Sequence, residues 1–303
     1  MPLRLPLRPA AVILCACALA PPAPANGGDA ATPSGEKPSE TQPANERGLE
    51  ESGDGPYGFN VRGDEWTLVS SARGLSLHKP IFVFPATYSP EYSGSETEFV
   101  FQFSAKHRLL GTELYFGYTQ RSFWQLYNED ESRPFRETNF NPELFYRWEP
   151  QWKRLPELGL DIGLEHESNG RDLPLSRSWN RIYGGLFLPR GKSLYYLKGW
   201  WRIPERAKRD PEDAGGDDNP DIQDYLGYGE LHYARQIGEQ QQLALMLRGN
   251  PATGKGAASV TWSRPNSNRT FFYAVRLWHG YGESLIDYDR SVTRFSLGIM
   301  LAR

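Results

Sequence analysis

Leu158, Leu160, Ile162 and Leu164 alternate with Gly159, Asp161, Gly163 and Glu165, and this period of two recurs through the chain after residue 80. Phe99, Phe101 and Phe103 alternate with Val100, Gln102 and Ser104, and Leu114, Phe116 and Tyr118 with Tyr115, Gly117 and Thr119. Leu243, Leu245 and Leu247, then Phe271, Tyr273, Val275 and Leu277, then Thr293 to Leu301 repeat the pattern. Side chains two residues apart share one face of a strand, whereas a helix gathers them at spacings of three and four. No stretch beyond residue 80 carries convincing helical spacing. Twelve alternating segments can be counted, near 79–89, 97–107, 112–126, 134–149, 156–168, 178–189, 193–204, 222–236, 240–250, 256–265, 269–281 and 291–302.

The connections between these segments alternate in length. HRLLG, LPRGKS and RPNSNR are short, whereas NEDESR, SNGRDLPLSR and ERAKRDPEDAGGDDNPD are long and polar. Opposite the apolar stripes stand charged residues, among them Asp161, Glu165, Arg181 and Arg276, which a dry core would exclude. In hydrocarbon every backbone group must be paired, so a spanning sheet has to close on itself. The pattern therefore predicts an all-β fold, a twelve-stranded antiparallel transmembrane β-barrel with an apolar exterior and a polar lumen. Trp148, Trp200, Trp201, Trp262 and Trp278 lie near segment ends and are read as interfacial girdles. A secreted, soluble sandwich or barrel would also alternate and is the competing fold. With an even strand count, NEDESR and SNGRDLPLSR fall on the same rim.

The first 25 residues read as an export signal. Arg4 and Arg8 precede the apolar run Ala10 to Ala20, and Ala23-Pro24-Ala25 has the small-residue character of a cleavage site. The run is too short to span a bilayer as a helix. A lipoprotein reading of Leu14-Cys15-Ala16-Cys17 is the alternative. Cleavage near Ala25 removes Cys15 and Cys17, the chain's two cysteines, and leaves no thiol for disulfides or metal. Loss of the two arginines takes the formal net charge from -3 to -5, which is no footprint for nucleic acid. Residues 26–78 are rich in Pro, Gly, Ser and acids and read as a disordered or irregular segment, so the barrel is placed over 79–303.

Strand parity locates a set of reactive residue types. If Leu158 to Leu164 face lipid, His166 and Ser168 lie on the same outward face, and Asn180 shares the face of Ile182, Leu186 and Leu188. Polar side chains aimed at a bilayer are costly, and a passive channel has no evident use for them. A lipid hydrolase does: Ser168 as nucleophile, His166 as general base, Asn180 as the acceptor that orients the imidazole. Spacing alone leaves open that these are ordinary residues at a strand end.

The run His166-Glu-Ser168-Asn-Gly-Arg171, with Ser176-Arg-Ser-Trp-Asn180-Arg after it, resembles the signature of the outer membrane phospholipase A family. So do Phe135-Arg-Glu-Thr-Asn139, Asn141-Pro-Glu-Leu-Phe145, Asp217-Asp-Asn-Pro-Asp221 and Tyr281-Gly-Glu-Ser-Leu-Ile-Asp-Tyr288. The resemblance covers roughly residues 80 to 303. It implies a calcium-dependent phospholipase A of the bacterial outer membrane, acting on phospholipid acyl esters through Ser168, His166 and Asn180. It also implies calcium held by the main-chain oxygen of Arg171 and the hydroxyl of Ser176, with Ser132 supplied by the second subunit of a homodimer. Gln120, polar on the apolar stripe of Phe116 and Tyr118, is implied to meet its counterpart across the dimer. The sequence departs from the family where Leu173 replaces an acid, with Asp172 one position earlier, which leaves a second calcium site involving Asp218 in doubt. The rival functions are a passive channel or porin and a structural or adhesin barrel.

Overall fold

The computed structural model describes residues 75–303, apart from positions 156, 211, 212, 214 and 239. The expected export signal and residues 26–74 lie outside the described residues. The strands are β1 (Leu75–Leu77), β2 (Ile81–Tyr88), β3 (Phe99–Leu109), β4 (Leu114–Trp124), β5 (Phe135–Trp148), β6 (Gly159–Ser168) and β7 (Ser178–Arg190). They continue with β8 (Ser193–Arg202), β9 (Gly229–Ile237), β10 (Gln241–Asn250), β11 (Lys255–Pro265), β12 (Phe272–Tyr281) and β13 (Ser291–Ala302), and one short helix, α1 (Ile222–Leu226), precedes β9.

From β2 to β13 each strand pairs antiparallel with the next, and β13 pairs back onto β2, so twelve strands form a closed barrel. The thirteenth piece, β1, pairs with the far end of β3 at Ala105 to His107, while β2 pairs with Val100 to Gln102. Together β1 and β2 act as one barrel strand, interrupted at His78-Lys79-Pro80, where proline has no N–H for the ladder. Leu75–Leu77, placed by sequence in the irregular segment, thus already belong to the wall.

The wall is apolar outside and charged inside. Phe103, Phe116, Ile162, Leu164, Leu186, Leu247, Leu277 and Leu297 are exposed, while Arg147, Asp161, Glu165, Arg181, Lys198 and Arg276 are buried. Water selects the opposite arrangement, and hydrocarbon selects this one. Inside, the charges are paired. Arg147 grips Asp161 through two hydrogen bonds of 2.8 Å, Lys198 Nζ lies 2.9 Å from Glu165, and Lys79 Nζ lies 3.0 Å from Glu143. Such pairs offset the desolvation of each ion by supplying several charge-assisted hydrogen bonds.

Two expectations need correction. Trp200 and Trp278 do not belong to an outer girdle: both are buried in the lumen, where their indole N–H groups donate to Gly227 O at 3.1 Å and Gly280 O at 3.3 Å. Nearness to a strand end says nothing about parity, and parity places them inward, whereas Trp148 and Trp201 do face out. The segment expected as strand over 222–236 begins instead with α1, and β9 starts only at Gly229. Ile222 and Leu226, four apart, share one buried face of α1 and pack with Trp179, Tyr183, Trp200, Leu285 and Tyr288. That cluster, which also takes in Tyr115 and Phe145, fills part of the lumen. The chain leaves the helix at Gly227, with φ +71°, where a Cβ would sit 1.9 Å from Gly249 O, so only glycine fits.

If the exterior faces hydrocarbon, Ile162→Arg should cost about 2–4 kcal/mol of folding stability in phospholipid bilayers, measured by reversible denaturant unfolding. Unchanged stability would instead mark Ile162 as facing water.

Candidate active site

β6 and β7 bring the residues singled out by parity together. In their ladder His166 stands opposite Asn180 and Ser168 opposite Ser178. All four are half-buried, on the face shared with the exposed Ile162, Leu164, Ile182 and Leu186. His166 Nδ1 and Asn180 Oδ1 are 2.9 Å apart. The other arm of the same amide, Asn180 Nδ2, donates to Glu205 Oε1 at 3.1 Å. An ionised carboxylate only accepts, so Glu205 forces the NH₂ toward itself and the amide oxygen toward the ring. An amide oxygen can only accept, so this bond takes Nδ1–H as its donor. Ser168 lies two residues along the same face, about 7 Å in Cα position.

Behind this pair the strands are fixed from the lumen side. Asn141 of β5 donates to His166 O at 2.8 Å, and its own oxygen accepts from Lys79 Nζ at 2.8 Å. Glu167, between His166 and Ser168, points inward and accepts from Trp179 Nε1 and Arg181 at 3.0 Å each. Sequence spacing gave no hint of Asn141 or Glu205, because both meet the site through tertiary pairing.

The loop from Asn169 to Arg177 carries two of the expected calcium ligands. Asn169 is buried and closes the loop: its Oδ1 accepts from Arg177 N at 2.9 Å and Arg171 N at 3.3 Å, and its Nδ2 donates to Leu175 O at 2.8 Å. Gly170, at φ +61°, makes the turn that follows. Ser176 Oγ donates to Asp218 Oδ2 at 2.6 Å, and Asp218 also pairs with Lys208 Nζ at 2.6 Å. Ser178 has its N–H bound to Asn219 Oδ1 at 3.0 Å. The Ser176 hydroxyl and the Asp218 carboxylate thus meet here, oxygen donors of the type a hard cation takes. Among the described residues no hydrogen bond joins the Ser132 side chain to them. It is exposed in the turn after β4, with φ +60°.

Gln120 stands outward in β4 and bonds to Tyr118 OH at 3.1 Å and Ser122 Oγ at 3.3 Å. Across the wall it belongs to one lateral row with Phe103, Phe140 and Ser168. Two strand spacings separate Gln120 from Ser168, about 10 Å.

Comparison with known proteins places this arrangement among relatives. A family model described as Phospholipase A1 matches residues 73–301. The chain is 40% identical over 186 residues to the phospholipase A1 of Klebsiella pneumoniae, covering 61% of this chain and 61% of that protein. To the phospholipase A1 of Salmonella typhimurium it is 38% identical over 226 residues, covering 71% and 73%. It thus spans less than two thirds of the length of the Klebsiella protein. The crystal structure of the Salmonella typhi outer membrane phospholipase dimer with bound calcium superposes with a TM-score of 0.65 at 33% identity, over 75% of this chain and 92% of that one. Outer membrane phospholipase A from Escherichia coli gives 0.65 at 32%, over 75% and 98%. An active-site mutant of that protein, with asparagine replaced by alanine, gives 0.65 at 31%, over 80% and 94%.

Asn169 is the residue on which the loop's closure depends. Asn169→Ala should remove about 1–3 kcal/mol of local stability and expose Arg171 and Arg177 to trypsin while the barrel still shows heat-modifiable mobility. Resistance equal to wild type would show that the loop is held by other contacts.

Proposed function

This chain belongs to the phospholipase A1 family, and from that premise we propose that it is a calcium-dependent phospholipase A of the outer membrane. It hydrolyses acyl esters of phospholipids through Ser168, His166 and Asn180 and works as a homodimer. The observation that carries this reading is the His166–Asn180 hydrogen bond on the outward face, with Ser168 beside it. A nucleophile on that face meets lipid without the lipid having to enter the barrel.

Ser168 Oγ attacks the acyl carbonyl carbon while His166 Nε2 takes its proton. The tetrahedral adduct collapses with cleavage of the C–O bond, and His166 returns the proton to the departing alkoxide of the lysolipid. Water then enters the acyl-serine by the same route, with His166 again as base, and releases the fatty acid. Asn180 stabilises the ring orientation that keeps Nε2 toward Ser168, and Glu205 acts through Asn180 by fixing its amide. Asparagine brings no charge to the border of the hydrocarbon.

The oxygen donors on the 169–177 loop fit calcium. Arg171 O and Ser176 Oγ would hold it from this chain and Ser132 from a second copy. Bound there, calcium supplies a Lewis acid that polarises the acyl carbonyl. The dimer reading is supported by Gln120, a polar side chain on the outward face in the row of Ser168, and by a structural relative that is a dimer with calcium. Trp179, Tyr183 and Phe187, turned inward, narrow the lumen and favour this reading over a passive channel.

Hydrolysis of phospholipid in mixed micelles should fall at least about 10⁴-fold in Ser168→Ala and roughly 10²-fold in Asn180→Ala, with barrel folding unchanged. Chelation should suppress it reversibly, and calcium should restore it. Turnover that survives Ser168→Ala would remove the triad, and turnover indifferent to chelation would remove the ion. For Glu205→Ala we expect a kcat about threefold to tenfold lower at unchanged KM. Glu205→Gln, which can still accept the amide N–H, should retain most of the rate. No further loss is expected when Glu205→Ala is combined with Asn180→Ala; additive losses would show that Glu205 acts elsewhere.

A further inference from the structure

The lumen holds a cavity of about 240 Å³ whose lining charges do not balance. Six cations border it, Lys79, Arg121, Arg181, Lys198, Arg248 and Arg276, against four carboxylates, Glu165, Glu167, Glu230 and Glu283. The carboxylates are already engaged. Glu165 is paired with Arg181 and Lys198, Glu167 with Arg181, Glu230 with His232, and Glu283 with Arg294, Nε to Oε2 2.8 Å. Among the described residues Arg121, Arg248 and Arg276 form no ion pair of their own. Arg121 donates to Gln102 Oε1 and to Glu283 O, and Arg248 donates to the main-chain oxygens of Tyr281 and Gly282. Arg276 is only 7% exposed and has no hydrogen bond or ion pair among the described residues. Its guanidinium lies over the faces of Phe82 and Trp278, at 5.7 and 5.2 Å from their centroids.

Three guanidiniums lining one cavity repel one another, and Glu167, Glu230 and Glu283, each engaged with another basic side chain, offset them only in part. Burying like charges without counter-charge is expensive. Guanidinium forks match the oxygens of carboxylate and phosphate, which accept from two donors at once. The same cavity has an apolar side, formed by Phe82, Leu226, Leu285 and Met300. We propose that Arg121, Arg248 and Arg276 form a lumenal binding site for a small oxyanion, phosphate or carboxylate, separate from the outward-facing Ser168 and independent of the hydrolase reading.

Isothermal titration of the detergent-solubilised barrel tests this, in EDTA and at constant ionic strength set with sodium chloride. The titrants are inorganic phosphate, acetate and octanoate. Saturable binding of at least one is expected, weakened about tenfold or more in Arg276→Gln. Preference for phosphate would identify a phosphate ligand. Octanoate binding tighter than acetate would identify an acyl carboxylate lying on the apolar wall. If Arg276→Gln does not fold, as judged by heat-modifiable mobility, Arg121→Gln takes its place. Absence of saturable binding for all three anions, or equal affinity in the folded variant, would overturn the proposal.

Discussion

The pairing of β13 with β2 is the constraint on which the rest of the molecule depends. An open twelve-stranded sheet would present two rows of unpaired N–H and C=O groups, and in hydrocarbon each such group costs several kcal/mol. Closure removes both edges at once. It also fixes which side chains are inside, since a wall one strand thick has only two faces and residues alternate between them. Once β6 and β7 are locked in register, a shift of one residue would turn Ile162, Leu164, His166 and Ser168 into the lumen and Asp161 and Glu165 into lipid. The placement of the reactive groups is thus enforced by the same alternation that makes the barrel insert.

The charged interior holds the site from behind. Lys79 sits between Glu143 and Glu165 and also donates to Asn141, which in turn donates to the main-chain oxygen of His166. Glu167 occupies the inward position between His166 and Ser168, bound to Trp179 and Arg181. Breaking these pairs would leave an uncompensated buried charge, so the backbone carrying His166 and Ser168 has little freedom. Rigid strands hold side chains more precisely than a loop would. Arg171, Ser176 and Glu205 lie on loops instead.

Period two is a local signal, and everything that depends on it alone was legible in the sequence. The twelve strands, the face of His166, Ser168 and Asn180, and the inward turn of Trp179 and Tyr183 all follow from counting. What parity could not supply was contact between distant segments. Glu205 is 25 residues from Asn180, in a loop with no periodicity. Asn141 reaches His166 from another strand. Helix α1 escaped because five residues hold barely one helical period and the next strand's alternation ran on smoothly from them. Trp200 and Trp278 lie inward because parity, not position along a strand, decides the face.

The position of Glu205 rests finally on the loop that follows it. Next to it, Arg206 donates to both carboxylate oxygens of Asp213, which also accepts from the N–H groups of Arg209 and Gly215. Arg206 O accepts from Asp217 N at 2.9 Å, and Asp217 in turn takes Arg202 at the end of β8 at 2.6 Å. The brace therefore runs from β8 through Asp217 and Arg206 to Asp213, with Glu205 at its root. The hydrogen bond from Arg206, then those from the two main-chain N–H groups, hold the Asp213 carboxyl well below the usual carboxylate range. A carboxyl depressed in this way stabilises the folded loop at any pH above its unfolded value, and that contribution is lost only as pH falls through the lower folded value. At neutral and mildly acidic pH the Arg206–Asp213 pair stays charged, and the loop next to Glu205 stays closed.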